Sequence, residues 1–314
     1  MTTAVNTAPS FTSQLVTGLL SIKPLASLAK HQARKMIIKR AEKIGVPWRQ
    51  IVQELRTHDW NSELAQVEDT QLTYPEYYLR SFHAYDTGNL SWDAALEVEV
   101  AAYSVHAGIC PENGIKGDAK LRQSYHDIVK SQVTIQPQDI LDIGCSVGLS
   151  TTALQQVYPQ ANLTGLDLSP YFLAVAQYNS NQRNLKMNWK HAAAESTGLP
   201  DASFDLVSAF LMFHELPQKA SREILHEARR LLRPGGYLAI MEMNPKSEIY
   251  ATMPPYILTL LKSTEPYMDE YFTFDIEKAI ADAGFQIPTI TSNSPRHRTI
   301  VAQLRLPYLK VGGS

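Results

Sequence analysis

A glycine-containing stretch near the middle of the chain is the feature best suited to chemistry. Residues 141–150 read LDIGCSVGLS, so an apolar run is followed by two glycines, Gly144 and Gly148. A glycine has no Cβ and lets a ligand approach the backbone closely. The first N–H groups of a following helix have no partner inside that helix and can bind the same ligand. The stretch predicts a loop between a strand and a helix that holds a nucleotide-type ligand.

Two other classes of site share parts of this loop but differ from it in detail. A dinucleotide-binding loop has the pattern G-x-G-x-x-G, whereas Ser146 and Leu149 stand at its second and third glycine positions. The pattern G-x-S-x-G of an α/β-hydrolase matches by letter, but that fold needs an acid and then a histidine later in the chain. His214 and Glu215 are adjacent and in the opposite order. The sequence therefore argues against both classes.

His214 is the candidate for proton transfer. It follows the apolar run 204–210, which is typical of a strand in a parallel sheet, and the carboxyl ends of such strands face the ligand crevice. Because a histidine titrates near neutral pH, we predict that His214 is a catalytic base and contacts the acceptor. The alternative interpretation is that His214 lines the cofactor or caps the helix that begins near Pro217.

Aromatic and methionine side chains in two segments predict an apolar pocket. Tyr85 and Trp92 precede the glycine loop and Tyr256 lies far behind it, and we predict that these three residues bind the acceptor. Other members of the two groups are His83, Tyr103, Tyr250, Met253, Tyr267 and Met268. Such rings can also shield a cation by cation–π contact. Simple packing of a helical cap is the competing interpretation.

The glycine loop resembles the cofactor-binding motif of the class I methyltransferases, which use S-adenosyl-L-methionine (SAM). The pattern Asp142-x-Gly144-x-x-x-Gly148 is followed by a second predicted strand with Asp167 near its end. Three further stretches match in the same order, namely residues 192–195 (AAAE), 199–207 (LPDASFDLV) and 227–236 (EARRLLRPGG). Over residues 117–305 the chain is similar to the small-molecule methyltransferases of ubiquinone and menaquinone biosynthesis.

The resemblance implies a role for each matching residue. The residues that would line the methionine end of SAM are Asp142, Gly144, Cys145, Ser146 and Gly148. Those that would hold the ribose and adenine are Asp167, Leu168 and Ala194, and the further predicted cofactor contacts are Ala193, Glu195 and Phe210. The sequence departs from the family pattern at Ser146, where a glycine is usual, and at Ala193, where an acid usually contacts the adenine amino group. That hydrogen bond is therefore absent or comes from Glu195. We predict no metal site, and two cysteines cannot form a cysteine-based zinc site.

Alternating strand and helix patterns position these residues. Such alternation predicts a Rossmann-like α/β sheet of seven strands with the last one antiparallel. The predicted strands are residues 140–143, 163–168, 187–192, 204–210, 237–243, 285–290 and 299–306, and the predicted helices include residues 149–157, 221–232 and 274–283. A further helix is expected after Ser169-Pro170, and residues 234–236 are expected to end the helix before them. We predict a helical extension and substrate cap over residues 1–116 and a SAM-binding domain over residues 117–314, whose insertion 244–272 contributes to the cap.

The N-terminal region is basic, with no acid before Glu42. Leucines and basic residues over positions 11–43 leave three interpretations open: a packed helical extension, a peripheral membrane contact, or an organelle transit peptide. Pro24 is expected to interrupt a helix there. Cys110 and Cys145 are too few for a disulfide framework, and no apolar run reaches the ~18–20 residues that span a bilayer. We expect a cytoplasmic protein, with peripheral membrane contact or organelle targeting left open.

These features predict a SAM-dependent methyltransferase that acts at carbon or oxygen of a small, lipophilic or aromatic acceptor and releases S-adenosyl-L-homocysteine. A SAM-binding protein without methyl transfer is the first alternative, because of the altered adenine site and the unfamiliar extension. An NAD-dependent oxidoreductase is the second, and the missing glycines disfavour it. Nucleic acid is rejected as acceptor. Residues 253–256 (MPPY) only partly match the Pro-Pro-aromatic motif of DNA and RNA enzymes, and a net charge of −2 gives no basic footprint.

Overall fold

A seven-stranded sheet lies at the centre of the protein. The computed structural model describes residues 23–83, 85–109 and 111–306. The strands are β1 Asp139–Ile143, β2 Asn162–Asp167, β3 Asn188–His191, β4 Phe204–Phe210, β5 Leu232–Met243, β6 Thr289–Ser294 and β7 His297–Gln303. Their order is β3-β2-β1-β4-β5-β7-β6. Strand β7 is antiparallel to both of its neighbours, and the other pairs are parallel. The predicted sheet with an antiparallel last strand is confirmed.

Helices pack around the sheet, and the N-terminal part of the chain adds further helices before β1. They are α1 Lys23–Lys43, α2 Trp48–Arg56, α3 Asn61–Val67, α4 Trp92–Ala107, α5 Gly117–Gln132, α6 Leu149–Val157, α7 Pro170–Gln182, α8 Gln218–Leu231, α9 Glu248–Ala251, α10 Pro255–Thr264, α11 Met268–Phe272 and α12 Ile276–Asp282. Helices α1 and α2 pack against α4, and α3 and α4 pack against α7. The N-terminal helices are thus attached mainly to α7, and α3 also contacts β3 directly.

Local sequence signals explain several element boundaries. Ser169 caps α7, because its side chain accepts a hydrogen bond from the Phe172 N–H, and Pro170 occupies the first turn, where a missing N–H costs nothing. Helix α6 has the predicted bounds, and α12 ends before Gly284, whose φ of +103° suits glycine. Helix α8 begins at Gln218, three residues before its predicted start.

Three strands differ most from the sequence predictions. Strand β5 begins at Leu232 and runs through residues 234–236, because a register shift between Phe204 and Leu206 in β4 accommodates the extra residues. The sixth strand was predicted over residues 285–290 but lies at Thr289–Ser294. Phe285 makes only an isolated bridge to Leu304, and Pro288, which has no N–H to donate, precedes the ladder with β7. Strand β7 starts two residues earlier and ends three residues earlier than predicted.

The N-terminal segment is described only in part. Residues 11–22 and Cys110 lie outside the described residues. Pro24 does not interrupt α1 but lies in its first turn, where proline is tolerated. Ile38 and Ala41 of α1 are buried in a cluster with Val52 and Val100, so this part of the segment packs on the protein. Across the described ranges, no helix is both long and apolar enough to cross a membrane.

Candidate cofactor and acceptor site

A cavity of about 540 Å³ lies at the carboxyl ends of the central strands. Its walls come from the loops after β1, β2 and β4, from the segment around α4, and from the insertion that contains α10 and α11. This is the edge of a parallel sheet at which open α/β folds bind ligands. Most of the lining side chains are apolar or aromatic, and the charged ones include Asp167, Glu215 and Glu265.

The glycine loop forms the floor of the cavity. Gly144, Ser146 and Gly148 all have positive φ, at +67°, +50° and +80°. The backbone angle of Gly144 favours glycine, and an added Cβ would lie 2.5 Å from the Sδ of Met212, so that side chain would have to move. The Ser146 Oγ is buried and has no hydrogen-bond partner among the described residues. The loop therefore presents an unpaired polar atom beside the cavity, as expected where a polar ligand binds.

Asp167 lies beside this loop at the end of β2. Its carboxylate accepts hydrogen bonds from the Ser146 N–H at 2.8 Å, the Ser169 N–H at 2.8 Å and the Tyr78 hydroxyl at 3.5 Å. Burial, with a smaller contribution from Glu215, raises the pKa of Asp167 to about 6. Asp167 thus remains mostly ionised at neutral pH and is fixed in orientation by two backbone donors.

The structure brings six of the predicted cofactor residues to the cavity wall, namely Gly144, Ser146, Asp167, Leu168, Ala194 and Phe210. The other five, Asp142, Cys145, Gly148, Ala193 and Glu195, are not among its lining residues. Asp142 lies beneath the loop, where it accepts hydrogen bonds from the Ser150 and Thr151 hydroxyls at 2.6 and 2.7 Å. Burial raises the pKa of Asp142 to about 6. Glu195 accepts a hydrogen bond from the Tyr77 hydroxyl at 2.9 Å.

His214 lines the cavity in a short 3-10 turn, Phe213–Glu215, directly after β4. Its Nδ1 is 2.9 Å from an oxygen of Glu242, a fully buried carboxylate of β5. Burial alone would lower the pKa of His214, but the carboxylates of Glu242, Glu265 and Glu215 together raise it to about 10. The ring is therefore protonated at neutral pH. The predicted base would need a neutral ring near pH 7, whereas these surroundings favour the protonated form, and the catalytic role of His214 stays a prediction.

Two carboxylates near His214, those of Glu215 and Glu265, are bridged by the ring of His83. The Nε2 of His83 is 3.3 Å from a carboxylate oxygen of Glu215 and 3.3 Å from one of Glu265. Asn89 donates to the other oxygen of Glu215 at 3.3 Å. All four side chains line the cavity. Within the described part of the chain, no group of three or more His, Cys, Asp or Glu residues is arranged to hold a metal ion.

The predicted acceptor residues are only partly brought together. Tyr85 lines the cavity and donates to Glu97 at 2.7 Å, and Tyr250 and Met268 line it from the insertion. Trp92 is not in the wall, because it stacks on Trp60 with ring centroids 5.4 Å apart. The remaining predicted rings also point elsewhere: Tyr256 is 46% exposed outside the wall, Tyr103 donates to Glu99, and Tyr267 packs on Tyr77.

Several wall residues were missed by the sequence analysis. Three of them, Tyr77, Tyr78 and Phe82, belong to the same aromatic region as Tyr85. The high number of aromatic residues in that region was the signal available in the sequence. Arg122 of α5 also lines the cavity, with its guanidinium 4.3 Å from the centroid of the Phe210 ring. It pairs with the buried Asp118, which in turn contacts His106. Nothing in the local sequence marks Glu265 or Arg122 as parts of one site.

Fold and family comparison define the class of the domain. Residues 141–240 match the family described as a methyltransferase domain. The sheet also resembles that of phosphoethanolamine N-methyltransferase 2 from Haemonchus contortus, solved with bound SAM. That likeness has a TM-score of 0.52 at 14% sequence identity and covers 70% of this chain and 61% of the other. Residues 141–240 thus match a methyltransferase domain, and the sheet has the fold of a class I methyltransferase.

Curated relatives give a finer comparison. The chain is 30% identical over 162 residues to a ubiquinone biosynthesis O-methyltransferase of Psychrobacter arcticus, covering 49% of this chain and 62% of the relative. It is 33% identical over 127 residues to the enzyme of the same name from Pseudomonas aeruginosa, covering 39% of this chain and 53% of the relative. The chain thus spans less than two thirds of the length of these relatives.

Proposed function

We propose that the protein transfers the methyl group of SAM to a hydroxyl group of a small, largely apolar acceptor. The observation that carries the proposal is that Gly144, Ser146 and Asp167 line the same cavity as His214. A cofactor held by the first three residues and an acceptor beside His214 would therefore share one enclosed space. The names of the curated relatives support oxygen rather than carbon as the atom methylated.

The residues of the glycine loop and β2 fit SAM. The unpaired Ser146 Oγ suits the polar methionine end, and the ionised Asp167 suits two ribose hydroxyls through charge-assisted hydrogen bonds. Leu168, Ala194 and Phe210 supply apolar wall for the ribose and adenine. Three residues outside the cavity wall fix the shape of the glycine loop, namely Asp142, Cys145 and Gly148. Ala193 offers no acid to the adenine, and Glu195, held by Tyr77, is the nearby carboxylate.

SAM supplies an activated methyl group on its sulfonium, so the protein mainly has to align the acceptor with it. Tyr85, Phe82 and Tyr250 form apolar walls that position a ring or chain and exclude water. The protonated His214, held by Glu242, can donate a hydrogen bond to the acceptor oxygen. We assign His214 this donor role. Trp92 contributes indirectly, through its stacking on Trp60, and Tyr256 lies exposed outside the cavity wall.

The division of the chain is part of the same proposal. Residues 1–116 would form the substrate cap, because Tyr77, Phe82 and Tyr85 reach the cavity from this region. Residues 117–314 would bind the cofactor, with the insertion 244–272 closing the cavity through Tyr250, Leu261 and Met268. Peripheral membrane contact through residues 11–43 is a further proposal. In the described part of that segment it is supported by three exposed basic side chains, Lys35, Lys39 and Lys43.

Transfer of an isotopically labelled methyl group tests the proposed function. The full-length protein is incubated with methyl-labelled SAM and a cell extract, and the labelled products are identified by mass spectrometry. We expect a labelled ether of a small apolar compound, together with S-adenosyl-L-homocysteine. A label on carbon would correct the atom assigned here. SAM binding without any labelled product would favour the alternative of a cofactor-binding protein that transfers no methyl group.

A further inference from the structure

Glu265 is the least satisfied charged group in the cavity wall. Its residue exposure is only 8%, it lies directly after α10, and it lines the cavity. One carboxylate oxygen is 3.3 Å from the His83 Nε2, whereas Oε2 has no hydrogen-bond partner among the described residues. A buried acceptor left without a donor is costly and is uncommon in folded proteins. Because Glu265 lines the cavity, its unpaired oxygen is suited to a ligand there that donates a hydrogen bond.

His83 holds this carboxylate in place. The backbone of His83 has a φ of +49°, a left-handed conformation that a histidine adopts only at a cost. Its N–H donates to the carbonyl of Thr264 at 3.1 Å, which ties it to the residue before Glu265. Its ring bridges Glu265 and Glu215. The strained turn and the bridge together fix the direction in which Oε2 faces.

His214 and Glu265 differ in whether they can donate or accept a proton. The Nδ1 of His214 is committed to Glu242, and the carboxylates around the ring keep it protonated. Burial raises the pKa of Glu265, while His83 and His214 lower it and Glu215 and Glu242 raise it further. A carboxylate with a raised pKa and an unpaired oxygen is suited to accept a proton. In this pair His214 is suited to donate a proton and Glu265 to accept one.

We propose that Glu265 is the catalytic residue that takes the proton of the acceptor hydroxyl, and that His83 is a positioning residue that orients it. This inference rests on the proposed function. The acceptor O–H bond breaks and its proton passes to Oε2 of Glu265. The acceptor oxygen forms a bond to the methyl carbon, and the electron pair of the broken carbon–sulfur bond stays on sulfur as a neutral thioether. Glu265 releases the proton to solvent after product leaves.

Two phenols that differ in acidity separate proton removal from binding. 4-Propylphenol keeps its hydroxyl proton at mildly alkaline pH, whereas 4-nitrophenol is largely ionised there and needs no base. For E265Q we expect kcat with 4-propylphenol to fall by roughly 10²–10⁴-fold, while kcat with 4-nitrophenol stays close to that of the wild type. E265D should recover part of the lost rate. H83Q should show the same dependence on the phenol, with a smaller loss.

Controls and contrary outcomes are equally specific. E248Q, which changes an exposed carboxylate of the same insertion, should leave both rates unchanged, and SAM affinity should be unaltered in every variant. If the wild type is active and E265Q is unimpaired, or if E265Q is equally impaired with both phenols, the role of Glu265 is overturned. The proposed function would survive either result. A wild type that methylates no hydroxyl overturns the proposed function, and this inference with it.

Discussion

At the scale of single residues, burial destabilises the charged form of both Asp167 and His214. The groups around the two side chains differ, and so do the resulting pKa shifts. Asp167 is compensated only in part by two backbone N–H groups, so its pKa rises to about 6. His214 faces three carboxylates, which outweigh burial and raise its pKa to about 10. Charge in this cavity therefore follows from local partners and could not be assigned from residue type.

The state of His214 can be measured directly. Because its pKa lies near 10, the ring should remain protonated through neutral pH. A histidine raised in this way stabilises the fold fully below its ordinary value of 6.5, and this contribution is lost as pH rises through about 10. NMR titration of carbon-labelled histidines, with H214Q to assign the signal, should show no transition of His214 between pH 6 and 8. A transition near neutral pH would restore His214 as a candidate base.

At the scale of elements, strands and helices were predictable where one short pattern decides them. The apolar run of β4 and the Ser169-Pro170 start of α7 needed no distant partner, and both were found as predicted. Strand β6 was placed too early, because its pairing with β7 decides where it begins. Glu265 was missed for the same reason. It reaches His83 only through the fold, across an insertion without a recognisable motif.

His191 connects the N-terminal region to the sheet edge. Its Nδ1 accepts a hydrogen bond from the Asp69 N–H at 2.9 Å, and its Nε2 donates to the Leu168 carbonyl at 3.0 Å. Burial lowers the pKa of His191, so the neutral ring required by both bonds is favoured at neutral pH. The histidine thus holds a cap segment against the end of β2, next to the predicted ribose site.

Removal of this connection should loosen the cap segment. For H191A we expect a loss of about 1–3 kcal/mol in the free energy of unfolding and faster hydrogen exchange at the Asp69 amide. A histidine with a lowered pKa stabilises the fold above its ordinary value, so this contribution should vanish as pH falls below that value. H226A, which changes an exposed histidine of α8, is the matched control. Unchanged exchange at Asp69 would contradict this account.

At the scale of the whole molecule, α1 has one face on the protein and one face exposed. Ile38 and Ala41 are buried, whereas Lys35, Lys39 and Lys43 are exposed on one side of the helix, one turn apart. Met36 is 66% exposed beside them. The buried face supports a packed extension, and the basic face is the part available for an anionic membrane.

Sedimentation with vesicles tests the membrane proposal. If the basic face binds anionic lipid, the full-length protein should pellet with phosphatidylserine-containing vesicles and be released by salt, because salt screens the attraction. Replacing Lys35, Lys39 and Lys43 by glutamine should abolish most of this binding. The control replaces three exposed lysines elsewhere, Lys219, Lys246 and Lys278. Equal loss in both triple variants, or no binding by the wild type, would exclude this contact.

The central claim is that this chain binds SAM through the glycine loop and Asp167, and calorimetry tests it most directly. The wild type should bind SAM at one site per chain. D167A should weaken SAM affinity by roughly tenfold to a thousandfold, since charge-assisted hydrogen bonds contribute about 1.5–3 kcal/mol each. D127A, an exposed carboxylate of α5, should bind as the wild type does. SAM affinity unchanged in D167A, or tight binding of NAD by the wild type, would contradict the account.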